Sequence, residues 1–130
     1  MANPNIVSVT SIYGGNAGWN LGSSLTATLL TVDADKILKI NRITCANVDG
    51  TNDATLNLYI GGLGSGASGV TTTGADSNVY LAKTVSVPAD ATLVVSDTPI
   101  YLMEGDVLTG GASAASDLDL FISYEVLDDA

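Results

Sequence analysis

A period of two in the apolar residues is what most limits the folds open to this chain. Leu118, Leu120, Ile122, Tyr124 and Val126 alternate with Asp119, Phe121, Ser123 and Glu125. Successive side chains of a strand point to opposite faces, so this run predicts a strand with one buried face. Sliding it by one residue would drive carboxylates into the core. Ala54, Leu56, Leu58 and Ile60 repeat the pattern around Thr55, Asn57 and Tyr59, directly after the turn-forming Asp49-Gly50-Thr51-Asn52. With residues 36–45 on the other side of that turn, they predict a hairpin. Within 36–45, Leu38 and Ile40 keep one phase and Ile43 and Cys45 the other, which predicts a bulge or bend at Asn41-Arg42.

Weaker strands are expected at residues 6–13, 24–32, 78–87, 91–96, 100–103 and 106–110. Between the later ones lie Pro88-Ala89-Asp90, Asp97-Thr98-Pro99 and Glu104-Gly105-Asp106, all turn chemistry at short spacing. No stretch has the spacing of a long amphipathic helix. The chain has 130 residues, 46% of them hydrophobic and 14% charged, which is enough for one core. The expected fold is a single all-β domain spanning 1–130, an antiparallel β-sandwich or jelly roll. Residues 1–6 read as an N-terminal arm. Residues 16–24, which contain Trp19, read as an irregular loop. Residues 61–77, with glycines at 61, 62, 64, 66, 69 and 74, read as a long surface loop, either a passive connector or a contact element.

Composition argues against most chemistry. There is no histidine, so the usual neutral-pH base and metal ligand is missing, and a single cysteine, Cys45, cannot form an internal disulfide. Cys45 ends an alternating run and reads as a small core residue rather than a nucleophile. The carboxylate pairs Asp33/Asp35 and Asp117/Asp119 could in principle serve glycoside hydrolysis, but aromatic residues to line a cleft are few. The run Asn47 to Asp53 offers oxygen ligands yet lacks the terminal acid of a calcium-binding EF-hand loop, and a turn explains it better. The glycine-rich loop has no Gly-Lys-Ser/Thr to make a phosphate cradle. No enzyme, cofactor or metal is expected.

The net charge is −10, which disfavours direct binding to nucleic acid. The longest apolar runs are four residues, such as Val79 to Ala82, far short of a membrane-spanning helix. The polar start Met1-Ala2-Asn3-Pro4-Asn5 predicts no cleavable leader and synthesis in the cytosol. Acidity is uneven: Lys36, Lys39 and Arg42 nearly balance Asp33, Asp35, Asp49 and Asp53, whereas Lys83 alone faces ten carboxylates after residue 65. That asymmetry predicts a solvated acidic end of the sandwich, or alternatively steering onto a basic surface. Lys36, Lys39 and Arg42 themselves read as a solvated face, or alternatively as partners in an inter-subunit ion pair.

Three stretches carry a resemblance: Ile37-Leu38-Lys39-Ile40-Asn41-Arg42-Ile43 followed by Asn47-Val48-Asp49-Gly50-Thr51; residues 80–95, containing Val87-Pro88-Ala89-Asp90; and Thr98-Pro99-Ile100-Tyr101-Leu102-Met103-Glu104-Gly105-Asp106. In this order they resemble small virion structural proteins of tailed bacteriophages, notably of marine and cyanobacterial hosts, over roughly residues 30–126. The long insertion at 61–77 departs from that pattern. The resemblance implies a non-enzymatic capsid decoration or cement protein. It would be made in the host cytoplasm and sit on the capsid surface, with partners its own copies, as a homotrimer, and the major capsid protein. A neck or tail adaptor or fibre base and a carbohydrate-binding module are the alternatives. The candidate contact residues are Asn3, Pro4 and Ile6 in the arm, Trp19, and Leu63 and Val70 in the glycine-rich loop. Trp19 reads equally well as a plug closing one end of the sandwich.

Overall fold

The computed structural model describes residues 11–63 and 71–128. Every regular element in them is a strand: β1 (Ser11–Asn20), β2 (Thr28–Thr31), β3 (Lys36–Asn47), β4 (Ala54–Gly61), β5 (Val79–Val87), β6 (Thr92–Ser96), β7 (Ile100–Leu102), β8 (Val107–Ala112) and β9 (Leu118–Asp128). They form two antiparallel sheets. One runs β1-β9-β3-β6, with β7 also on β3; the other runs β2-β8-β4-β5. The expected sandwich is present, and the chain changes sheet at almost every connection.

The two clearest alternations fold as their periodicity requires. In β9, Leu118, Leu120 and Ile122 are buried while Asp119 and Phe121 face solvent. In β4, Ala54, Leu56, Leu58 and Ile60 supply the facing half of the core. Ile40, Ile43, Cys45, Leu102, Leu108 and Val87 complete it from both sheets. The change of phase in β3 is also as expected, because the β3–β9 register slips between Ile40 and Arg42. Both Ile40 and Ile43 therefore reach the core, each fully buried. Opposite the slip, β7 and β6 follow one another along the same edge of β3, interrupted at Asp97-Thr98-Pro99.

Two expectations fail. The segments on either side of Asp49-Gly50 do not make a hairpin, since β3 pairs with β9, β6 and β7 while β4 pairs with β5 and β8 in the opposite sheet. The connection is an arch between sheets, and a side chain builds it. Buried Asn47 donates through Nδ2 to the carbonyls of Val87 (2.9 Å) and Asn52 (3.0 Å), and its Oδ1 accepts from the Asp49 N–H (2.8 Å). An amide that satisfies three main-chain groups at once carries the chain across the core without leaving buried polar atoms unpaired. The second failure is at residues 16–24. Residues 16–20 belong to β1, and only 21–27 are irregular. Of the strand expected at 6–13, residues 11–13 lie in β1 and the rest fall outside the described residues.

The acidic residues do not gather at one end. Asp33, Asp35, Glu104 and Asp106 share one end, where Gly105 N–H donates to the Val32 carbonyl and Asp35 N–H to Glu104 Oε2. Asp49, Asp53, Asp90 and Asp117 share the other, where Val48 N–H bonds the Asp117 carbonyl and Ala89 N–H bonds Asp53 Oδ1. The uneven charge along the sequence is spread by the repeated crossing between sheets.

Candidate functional site

The groups that might do chemistry are occupied with the fold. Cys45 lies fully buried on β3, and burial, helped by the nearby Asp119 carboxylate, pushes its thiol up to about 11. A thiol held protonated and away from solvent is not a nucleophile at neutral pH. The Asp49 carboxylate accepts from the Thr51 N–H (2.8 Å) and the Asn52 amide (3.1 Å), which hold it below its ordinary value. The Asp49 oxygens that might have bound calcium are thus engaged in closing the turn. No group of three or more histidine, cysteine, aspartate or glutamate side chains is arranged to hold a metal among the described residues.

The turn at residues 103–106 holds an unexpected pair of buried carboxylates, Glu104 and Asp106. Asp106 Oδ2 accepts from the Met103 N–H (2.9 Å), closing the turn on itself, while Oδ1 is buried with no hydrogen-bond partner among the described residues. Burial pushes this carboxyl above its ordinary value, and the Met103 N–H opposes the shift. In sequence, Glu104-Gly105-Asp106 looks like exposed turn chemistry. The missed signal is Val107-Leu108, which follows directly and pulls the turn under the end of β2, where Val32 N–H bonds the Asp106 carbonyl (3.0 Å).

The remaining surface of interest is the side of the sandwich formed by β1 and β9. Trp19 sits on the core-facing side of β1, opposite Leu120, half-buried against the core. With Gly18, Asn20, Asp119, Leu120 and Phe121 it borders a shallow depression of about 390 Å³, across which Asn20 Nδ2 donates to Asp119 Oδ1 (2.7 Å). A second cleft of about 220 Å³ opens between the sheets nearby, lined by Leu30, Val32, Lys36, Leu38, Tyr124 and Val126. Next to it, Ile12 and Tyr13 are 62% and 58% exposed.

Of the two contact candidates among the described residues, Trp19 and Leu63, Trp19 is on this surface. Leu63 turns inward and packs on the core, its N–H bonded to the Ser77 carbonyl (3.1 Å), so the base of the glycine-rich loop is closed. Asn3, Pro4, Ile6 and Val70 lie outside the described residues. Among the basic residues, Lys36 pairs with Asp128 on the next strand (3.4 Å), Lys39 stands opposite Glu125, and Arg42 is exposed. No helix is long and apolar enough to cross a membrane among the described residues. No protein-family model and no curated protein matches the chain.

Proposed function

We propose that this chain is a non-enzymatic structural protein of a tailed-phage virion, a decoration protein that assembles as a trimer and reinforces the capsid. The observation that carries the reading is the strand order, β1-β9-β3-β6 over β2-β8-β4-β5. That order supports reading the sandwich as a jelly roll, an architecture used repeatedly by viral shells and by lectins. The support is an analogy of architecture joined to the resemblance of residues 30–126, and function rests on surfaces rather than on the fold itself. It agrees with a molecule whose thiol, arch carboxylate and buried turn are all committed to holding the scaffold together. A protein that binds only the assembled shell raises the shell's apparent stability by mass action, without any chemistry of its own.

The test is to add the purified chain to preformed expanded shells and heat them. Saturable binding in many copies with a raised disruption temperature is expected. Failure to bind, or presence in only a few copies per intact particle, overturns the decoration role, and the low copy number would point to a neck or tail position. The depression beside Trp19, with its amide and carboxylate, favours a second reading as a carbohydrate-binding module. Glycan binding that shifts Trp19 fluorescence would select it, and silence across a glycan panel would remove it.

A further inference from the structure

A sheet edge exposes a row of unpaired N–H and C=O groups, and natural proteins usually blunt it with short strands, bulges, prolines or charges. Among the described residues the two sheets have four edges, and three of them are blunted. β2 is four residues long with a register slip between Thr28 and Leu30. β5 slips twice against β4, carries Lys83, and has Thr84 at φ 53° with its N–H bonded to Asn57 Oδ1. The edge made by β6 and β7 is broken at Asp97-Thr98-Pro99. β1 has none of these devices. Its ten residues, Ser-Ile-Tyr-Gly-Gly-Asn-Ala-Gly-Trp-Asn, pair with β9 in unbroken register, contain no charge and no proline, and include not one buried residue.

We infer that β1 is an assembly edge, and that its occupant is β1 of a second copy of this chain, paired antiparallel about a two-fold axis. Charge supports a second copy as the occupant. Two molecules of net charge −10 repel wherever carboxylates meet, and β1 is a long uncharged strip. The carboxylates on the strand behind it are engaged within the molecule: Asp128 pairs with Lys36, Asp119 accepts from the Asn20 amide, and Glu125 accepts from the Asn41 amide. Sequence supports it too. With Asn16 facing the partner's Asn16, Gly15 meets the partner's Ala17, Gly14 the partner's Gly18, and Tyr13 the partner's Trp19. This register keeps core-facing residues opposite core-facing residues, as an antiparallel pair requires. The small residues fall at the centre, and a cross-strand aromatic pair, a stabilising contact, falls at each end. Tyr13, 58% exposed, and half-buried Trp19 would both gain cover. The blunted edges offer β1 no comparable flat partner. The contact stands on the strand alone and does not depend on the virion reading; in a trimer it would link one trimer to the next.

The experiment is sedimentation of the full chain and of Asn16→Lys, with cross-linking of Asn16→Cys. Asn16 is exposed, so neither change disturbs the domain. The wild type is expected to be a dimer, or a hexamer if trimers are linked, and Asn16→Lys is expected to halve that mass. The lysine makes the chain less acidic, so simple charge repulsion predicts the opposite. Opposed residues in antiparallel strands lie about 4.5–5.5 Å apart at Cα, within the span of a disulfide. Asn16→Cys under oxidised glutathione is therefore expected to give a covalent dimer, while exposed Phe121→Cys on the neighbouring strand gives none. A wild-type monomer, an oligomer that Asn16→Lys leaves intact, or no cross-link at residue 16 each overturns the proposal. An intact trimer would do so while leaving the trimeric decoration reading standing.

Discussion

Glycine does two different jobs in the two sheets. In β8, Gly110 and Gly111 are squeezed between backbones: a Cβ on Gly110 would overlap the Asn57 carbonyl, and one on Gly111 the Ser24 carbonyl. There the missing side chain is what lets β4, β8 and the residues before β2 approach one another, and both glycines are buried. In β1, a Cβ on Gly15 would press on the Tyr124 ring at 3.0 Å, but one on Gly14 would meet nothing within 4 Å among the described residues, and one on Gly18 only an ordinary contact at 3.6 Å. The first pair is demanded by the interior of the molecule. Nothing among the described residues demands Gly14, and glycine in a strand ordinarily weakens it. The contrast separates residues that serve the fold from residues whose reason lies outside it.

That contrast can be broken at its strong end first. Gly111→Ala is expected to cost about 3 kcal/mol or more, since backbone rather than a flexible side chain must move; equilibrium urea unfolding measures it, and a loss below 1 kcal/mol would show that the squeeze is soft. Asn47→Ala removes the amide that spans the arch and leaves the Val87 carbonyl buried without its donor. A loss of about 2 kcal/mol is expected, with β3 and β4 still in opposite sheets.

Asp106→Asn tests the other kind of buried polar group. Burial raises the folded-state value above the unfolded one, so the native state favours the protonated form. The stabilisation this gives is complete below the unfolded value and is lost as pH rises through the raised folded value. The variant mimics the protonated form, so its advantage over wild type should open across that acidic window and level off by neutral pH, as urea unfolding at a series of pH values would show. A pH-independent difference would disprove the assignment. Smallest of all, Gly14→Ala should stabilise the isolated domain by about 0.5 kcal/mol. A clear loss would mean that β1 has a partner within its own chain.

How much of this was legible depends on how local the cause is. β9 and β4 could be read because one face of each strand packs on the core and the other carries mostly polar residues, which writes the period directly into the residues. The bulge at Asn41-Arg42 could be read because it shifts that period by one. β1 was obscured because Gly14, Gly15 and Gly18 have no side chains to show a phase, although Tyr13, Ala17 and Trp19 do alternate toward the core side. The arch was misread as a hairpin because both need a turn at Asp49-Gly50. What separates them is the pairing of β3 with residues some eighty positions away and the buried amide of Asn47, neither of which leaves a local mark. For the same reason Trp19 could be singled out as a contact candidate, while the inward turn of Leu63 and the burial of Glu104 and Asp106 could not.

The pairing of β9 between β1 and β3 sets a timetable for synthesis. The strand that joins the two earliest members of its sheet is the last of the nine to leave the ribosome, so β1 must wait more than a hundred residues for its neighbour. Pairings this distant in sequence are slow to close and leave apolar edges bare meanwhile. The nascent chain therefore has no finished first sheet to display until β9 has emerged, and any surface built on β1 comes into being only then.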